Sequence, residues 1–206
     1  MARSFIRVPP DSTGKRTVTR SYLAGPDVVE SQGVHFDGLP SYTALFEGTA
    51  LAQNAYHAYL GNAAGSGRTV YIGGLFLINL QITAITGSNS RFDFRRVTGT
   101  PTMTAVTPAA HDSADPALTG ITCGRAVTAG LTDGAILATM VQHSDEHAAG
   151  VTNIQPLIDG MDRIGPLGLH VRPITLRPGE AVAFKQALAV TVGTIAVLMR
   201  FAVEAD

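Results

Sequence analysis

The stretch Gly168–Asp206, GLHVRPITLRPGEAVAFKQALAVTVGTIAVLMRFAVEAD, decides the fold. Val171, Ile174 and Leu176 precede Arg177-Pro178-Gly179-Glu180, whose Pro-Gly pair is a turn signal. Val182 and Phe184 then alternate with Ala181, Ala183 and Lys185. From about Val190 to Val203, the residues Ile195, Val197, Met199 and Phe201 share one parity. A period of two places alternate side chains on opposite faces of a pleated strand. Apolar residues at one parity, broken by Pro-Gly, predict antiparallel strands paired across the break with one face buried. The pattern specifies an architecture and carries no chemistry.

Working outward, the same short period recurs. Tyr56, Ala58 and Leu60 alternate with His57 and Tyr59; Arg68–Thr86 is the longest strand candidate; Phe92 and Phe94 alternate with Arg91, Asp93 and Arg95. With the turn-rich segments between them, residues 42–97 read as a β-meander, although Tyr42–Asn54 has the composition of a short helix. Thr98–Leu118 is a loop with a short strand at Met103–Val106, and Ile121–Ala129 and Ala135–His143 are further strands. Strands every 8–12 residues or so, with turns between them, indicate a sandwich or jelly roll rather than α/β units. The expected fold is all-β: a jelly-roll-like antiparallel β-sandwich body over residues 36–206, with an extended N-terminal arm over residues 1–35. The arm's strand-like pieces, Arg16–Tyr22 and Val28–Phe36, have little to bury and are expected to pair with another subunit.

The chain has 206 residues, 22 glycines and 11 prolines, and only 15% charged residues. Ala, Thr and Gly fill the difference from an ordinary soluble domain, giving a small-residue surface suited to lateral packing with copies of itself. The formal net charge of −1 gives no general affinity for nucleic acid. Charge is nevertheless uneven. Arg3, Arg7, Lys15, Arg16 and Arg20 face a single acid, Asp11, in the N-terminal stretch, whereas acids dominate from Asp112 to Asp162. Either these are two solvated faces, or the basic arm lies on an acidic neighbour. Cys123 is the only cysteine, so neither an intrachain disulfide nor a multi-thiolate metal site can form. No signal peptide is read at the N-terminus, and the apolar run Val70–Ile85 is interrupted by Gly73, Gly74, Asn79 and Gln81, so no membrane span is expected.

The chemical constellations are all near misses. Gly61–Thr69 (GNAAGSGRT) lacks the spacing and the lysine of a phosphate loop and reads as a hairpin turn. His143-Ser144-Asp145-Glu146-His147 has histidines at i, i+4 with acids between them, but without the order of a zinc helix or a third ligand. His111-Asp112 with Asp115 forms a similar polar loop. Asp159 and Asp162 are a carboxylate pair with Arg163 beside them as a ready salt-bridge partner. Cys123 reads as a small core residue. The lack of tryptophan disfavours a sugar-binding platform, for which Tyr56, Tyr59 and Tyr71 are the only candidates. No catalytic residue, cofactor or metal is expected.

Four motifs nonetheless carry a resemblance: Val8–Arg16 (VPPDSTGKR); Ala50–Asn54 (ALAQN) with His57–Arg68 (HAYLGNAAGSGR); Thr98–Val106 (TGTPTMTAV); and Arg172–Ala183 (RPITLRPGEAVA). Together they resemble small virion structural proteins of tailed bacteriophages. The resemblance implies a jelly-roll-like subunit assembled in the host cytoplasm and placed on the capsid surface. There it would act as a non-enzymatic decoration or cement protein, with the major capsid protein or other virion proteins as partners and a homotrimer as the expected oligomer. Neck, tail or fibre components with a receptor- or glycan-binding role are the alternative. On this reading Arg3, Arg7, Lys15, Arg16 and Arg20 form the partner interface.

Overall fold

A computed structural model describes residues 19–24, 27–32, 39–80, 89–143, 152–159, 173–188 and 193–205. The chain divides into two compact units, Met1–Leu39 and Pro40–Asp206. In the first, β1 (Thr19–Ala24) and β2 (Asp27–Gln32) pair antiparallel, Thr19 opposite Gln32 and Ala24 opposite Asp27. These two segments therefore partner each other.

The second unit is built from β3 (Ser41–Ala50), β4 (Tyr56–Asn62), β5 (Arg68–Leu80), β6 (Asn89–Thr98), β7 (Thr102–Ala105), β8 (Ala109–Ala110), β9 (Ile121–Ala129), β10 (Thr132–His143), β11 (Thr152–Asp159), β12 (Ile174–Leu176), β13 (Ala181–Gln186) and β14 (Thr194–Ala205). The strands make two antiparallel sheets, one in the order β10-β6-β13-β4-β9-β7 and one in the order β11-β5-β14-β3-β8, with β12 also on β5. The fold is an all-β sandwich, and no helix occurs among the described residues. Tyr42–Asn54 supplies strand β3 rather than a helix: Tyr42, Ala44 and Phe46 alternate into the core, and this burial overrides local composition.

The pairing is nested. β3 pairs with β14, β4 with β13, β5 with β11 and β6 with β10. The chain thus runs out and returns along itself as a ribbon, and the contacts β14–β5 and β13–β6 close the ribbon into two sheets. Two expectations fail on this point. Residues 42–97 do not form a meander, because consecutive strands fall in opposite sheets. Nor do the strands around the Pro-Gly turn pair with one another: β12 lies on β5, β13 lies between β4 and β6, and β14 between β3 and β5. The Arg177–Glu180 turn itself is present, with Gly179 at φ 87° and Glu180 N–H donating to Arg177 O at 3.0 Å, but it crosses between sheets. Gly61–Thr69 likewise connects β4 and β5 in opposite sheets instead of closing a hairpin.

The main core lies between the sheets. Phe46, Ile72, Leu75, Leu77, Ile195, Val197, Met199 and Phe201 come from one side and Leu60, Phe92, Phe94, Val182 and Phe184 from the other. Phe92 and Phe184 stack at 5.3 Å and 4°, an arrangement worth about 1 kcal/mol beyond the area it buries. A second cluster (Tyr59, Val97, Val127, Ala181 and Ala183) covers the outer face of the β13 sheet, with Met103 and Leu131 packed on it. Two glycines make room for this cover: a Cβ on Gly124 would land on Met103 Sδ, and one on Gly61 would meet the Tyr59 hydroxyl. Strand β13 is consequently buried on both faces from Ala181 to Phe184, not on one.

Candidate functional site

Three of the register shifts in the sandwich gather around one point. Strand β3 slips register against β14 between Ile195 and Val197, beside Gly48 at φ 71°. Strand β4 carries an extra residue against β13 between Ala58 and Tyr56, which is His57. Strand β9 slips against β7 between Thr102 and Thr104, where Ala126 adopts φ 49°. A left-handed alanine costs about 1–2 kcal/mol, and bulges concentrate beside functional sites. These three segments line a cavity of about 260 Å³ whose walls include Gly48, Thr49, Ala55, Tyr56, Ala126 and Thr128.

His57 also contributes to the cavity wall, with no surface open to solvent. Its Nε2 is 3.1 Å from Gln186 Oε1 and its Nδ1 2.9 Å from Thr49 Oγ1. Gln186 Oε1 also accepts the Ala52 N–H at 3.0 Å, so it acts as an acceptor and His57 Nε2 carries the proton. Nδ1 then accepts from the Thr49 hydroxyl. Burial pushes the imidazole down to about 4, against a smaller upward pull from the Gln186 bond, so it is neutral at neutral pH. With both ring nitrogens engaged and no exposed surface, this histidine is not arranged to work on a ligand. It ties β4 and β13 of one sheet to β3 of the other.

Asn62 does the same at the far end of β4. Buried to 3% exposure, it donates Nδ2 to Arg68 O at 2.7 Å and to Leu176 O at 3.1 Å, both across the sandwich. Strand β4 therefore carries a polar tie to the opposite sheet at each end. The sequence reading missed His57 as a core residue because the bulge shifts parity: Tyr56 packs with Tyr59 on the outer face, not with Ala58 and Leu60. A histidine placed between Ala55 and Leu60 in an otherwise apolar run was the available signal.

On the outer face, Asp133 gathers three partners. Tyr56 OH donates to Oδ1 at 2.5 Å, while Lys185 Nζ and Arg95 Nη1 donate to Oδ2 at 2.6 and 2.8 Å. Burial pushes the carboxyl up, but Lys185, Tyr56 and Arg95 outweigh it and hold it below its ordinary value. Tyr56, partly buried and bonded to Asp133, is pushed up to about 12. Asp93, buried on the same face, takes a two-pronged contact from Arg91 and a bond from Thr139 Oγ1 at 2.9 Å. These pairs fasten β10 to β6, β13 and β4.

Of the residues singled out from sequence, His111 makes the most contacts. Its Nδ1 is 3.0 Å from Ser41 Oγ and its Nε2 2.6 Å from Thr43 Oγ1, while Asp115 Oδ2 accepts the Ser41 backbone N–H at 3.1 Å. No carboxylate orients the ring, so this is a clasp between the β8 segment and β3 rather than a nucleophilic triad. Cys123 is buried and its thiol is pushed up to about 12 by burial, which leaves it protonated and unreactive. His143 ends β10, its backbone opposite Asn89, and Asp159 ends β11 opposite Gly74. Ser144–His147, Asp162 and Arg163 lie outside the described residues, as do Arg3, Arg7, Lys15 and Arg16. Arg20 is in β1, opposite Ser31, its side chain outside the description. Among the described residues no group of three His, Cys, Asp or Glu is placed to hold a metal ion, and no helix is long and apolar enough to cross a membrane.

Comparison with protein-family models, with curated proteins and with solved structures finds no match to this chain.

Proposed function

We propose that this protein is a structural assembly subunit of the virion kind that its motifs resemble: a capsid decoration protein that binds through its N-terminal unit and packs laterally with its own copies. The observation that carries this reading is the nested pairing β3–β14, β4–β13, β5–β11 and β6–β10. A ribbon paired in this nested order and rolled into two sheets is what the jelly-roll reading calls for, and it supports a likeness to that architecture, which is frequent in capsid subunits. A shared architecture alone is analogy, so the polar groups matter as well. His57, Asn62, Asp133, Asp93 and His111 are each engaged in tying strands together, which suits a rigid building block. A basic segment holding Arg3, Arg7, Lys15, Arg16 and Arg20 would meet an acidic capsid surface, making attachment salt-sensitive.

The fibre or glycan-binding alternative needs an exposed aromatic platform. Tyr59 is 6% exposed, Tyr56 is bonded to Asp133, and Tyr71 donates to Glu204 at 2.7 Å. The assembly reading is therefore preferred. Labelled full-length protein, mixed with phage heads that lack it, is expected to sediment with them at saturable stoichiometry. A chain without residues 1–24 is expected to stay in the supernatant. Full-length protein that stays unbound, or a truncated chain that binds equally well, would count against the proposal.

A further inference from the structure

We infer that β10 is a homotypic interface: it pairs antiparallel with β10 of a second copy across a two-fold axis, running the two six-stranded sheets together edge to edge. The argument starts from the sheet margins. Strand β7 has four residues, β8 has two, and β11 carries Pro156 and a register shift. Short length, proline and bulges are the usual means of keeping an edge from recruiting another strand. Strand β10 differs. It has twelve residues, and its two register shifts fall between Asp133 and Ala138, leaving Ala138–His143 regular against β6. Among the described residues β6 is its only strand neighbour, so no described strand pairs with the main-chain N–H and C=O groups of its other side.

The side chains along that edge specify the occupant. Ile136 is 46% exposed, Leu137 36% and Val141 51%; among the described residues these are three of the five large hydrophobics that are exposed. From Gly134 to Gln142 the sequence is GAILATMVQ, with no charge and no proline. An acidic or basic partner strand would find no counter-charge here. A second β10 brings no like charges face to face, and an antiparallel pair of identical strands closes on itself without leaving an open end. When Leu137 is set against Val141 of the mate, Val141 faces the mate's Leu137 and Thr139 falls on the two-fold. Two copies joined this way cover each other's apolar edge residues and satisfy both rows of backbone groups. The inference does not depend on a virion role, and its test needs no particles.

Sedimentation velocity of the full chain across a concentration series is expected to show a mass rising from 21.5 kDa toward twice that value. Val141→Lys and Leu137→Lys are expected to weaken the association by about tenfold or more without altering far-UV circular dichroism. Leu188→Lys, at a position 48% exposed and off the strand, is expected to leave it unchanged. Under mild oxidation Thr139→Cys should yield a disulfide-linked dimer, because directly opposed residues lie within bridging distance and the native Cys123 is buried. A single 21.5 kDa species at every concentration would overturn the inference. So would an assembly indifferent to Val141→Lys, or one disrupted as much by Leu188→Lys.

Discussion

An imidazole with no exposed surface is stable only in the protonation state its neighbours can serve, and for His57 that state is neutral. In the unfolded chain it titrates near its ordinary 6.5, and in the folded protein near about 4. Between these values the unfolded chain takes up a proton that the folded protein does not, so stability falls as the pH drops. The contribution is intact above pH 6.5, declines through the window and is lost below about 4, in total about 3 kcal/mol. Guanidinium unfolding at neutral pH and near pH 4 should register this loss in the native protein. His57→Gln should start less stable at neutral pH but lose less on acidification. An equally steep loss in the variant would place the acid sensitivity elsewhere.

At the level of strands and turns, glycine positions test the packing most sharply. Gly99 and Gly130 have φ of 105° and 88°, and a Cβ on Gly130 would land on the Thr100 carbonyl oxygen. Backbone cannot swing aside as a side chain can. Gly130→Ala is therefore expected to cost about 2 kcal/mol or more, whereas Gly65→Ala, with open space around it, should stay within about 0.5 kcal/mol. Equilibrium denaturation of the two variants gives the comparison directly. Strands are also where the sequence was most legible. The parity of Ile195, Val197, Met199 and Phe201 survives in β14 because the neighbouring strands absorb the register shifts. In β4 the extra residue is His57 itself, so alternation counted through it assigns Tyr56 to the wrong face. In β13 the signal was blurred differently: Ala181 and Ala183 are small enough to look solvent-facing, yet Tyr59 covers them. Strand partners were not legible at all, because periodicity reports which face is buried and says nothing of which distant segment lies alongside.

For the molecule as a whole, the division at Leu39 has a measurable consequence. Among the described residues, those of the main core, from Tyr42 to Val203, belong to the second unit. Residues 40–206 alone are expected to unfold cooperatively, with a midpoint within a few degrees of the full chain by calorimetry. Loss of a cooperative transition would show that residues 1–39 complete the core. The first unit is in the opposite position, since a lone two-stranded hairpin is at best marginally stable in water. The location of β14 imposes a further condition, one of timing. Strands β3 and β5 are made early, yet they do not touch as neighbours; the lane between them belongs to β14, the last strand described. Until that segment is synthesised, two apolar strands wait with facing edges unpaired, and β4 and β6 wait likewise for β13. Such long-range closure makes for slow folding and a vulnerable nascent state. The ribbon that gives the finished subunit its rigidity thus obliges the growing chain to remain open, and in need of protection from its neighbours, until β13 and β14 have been made.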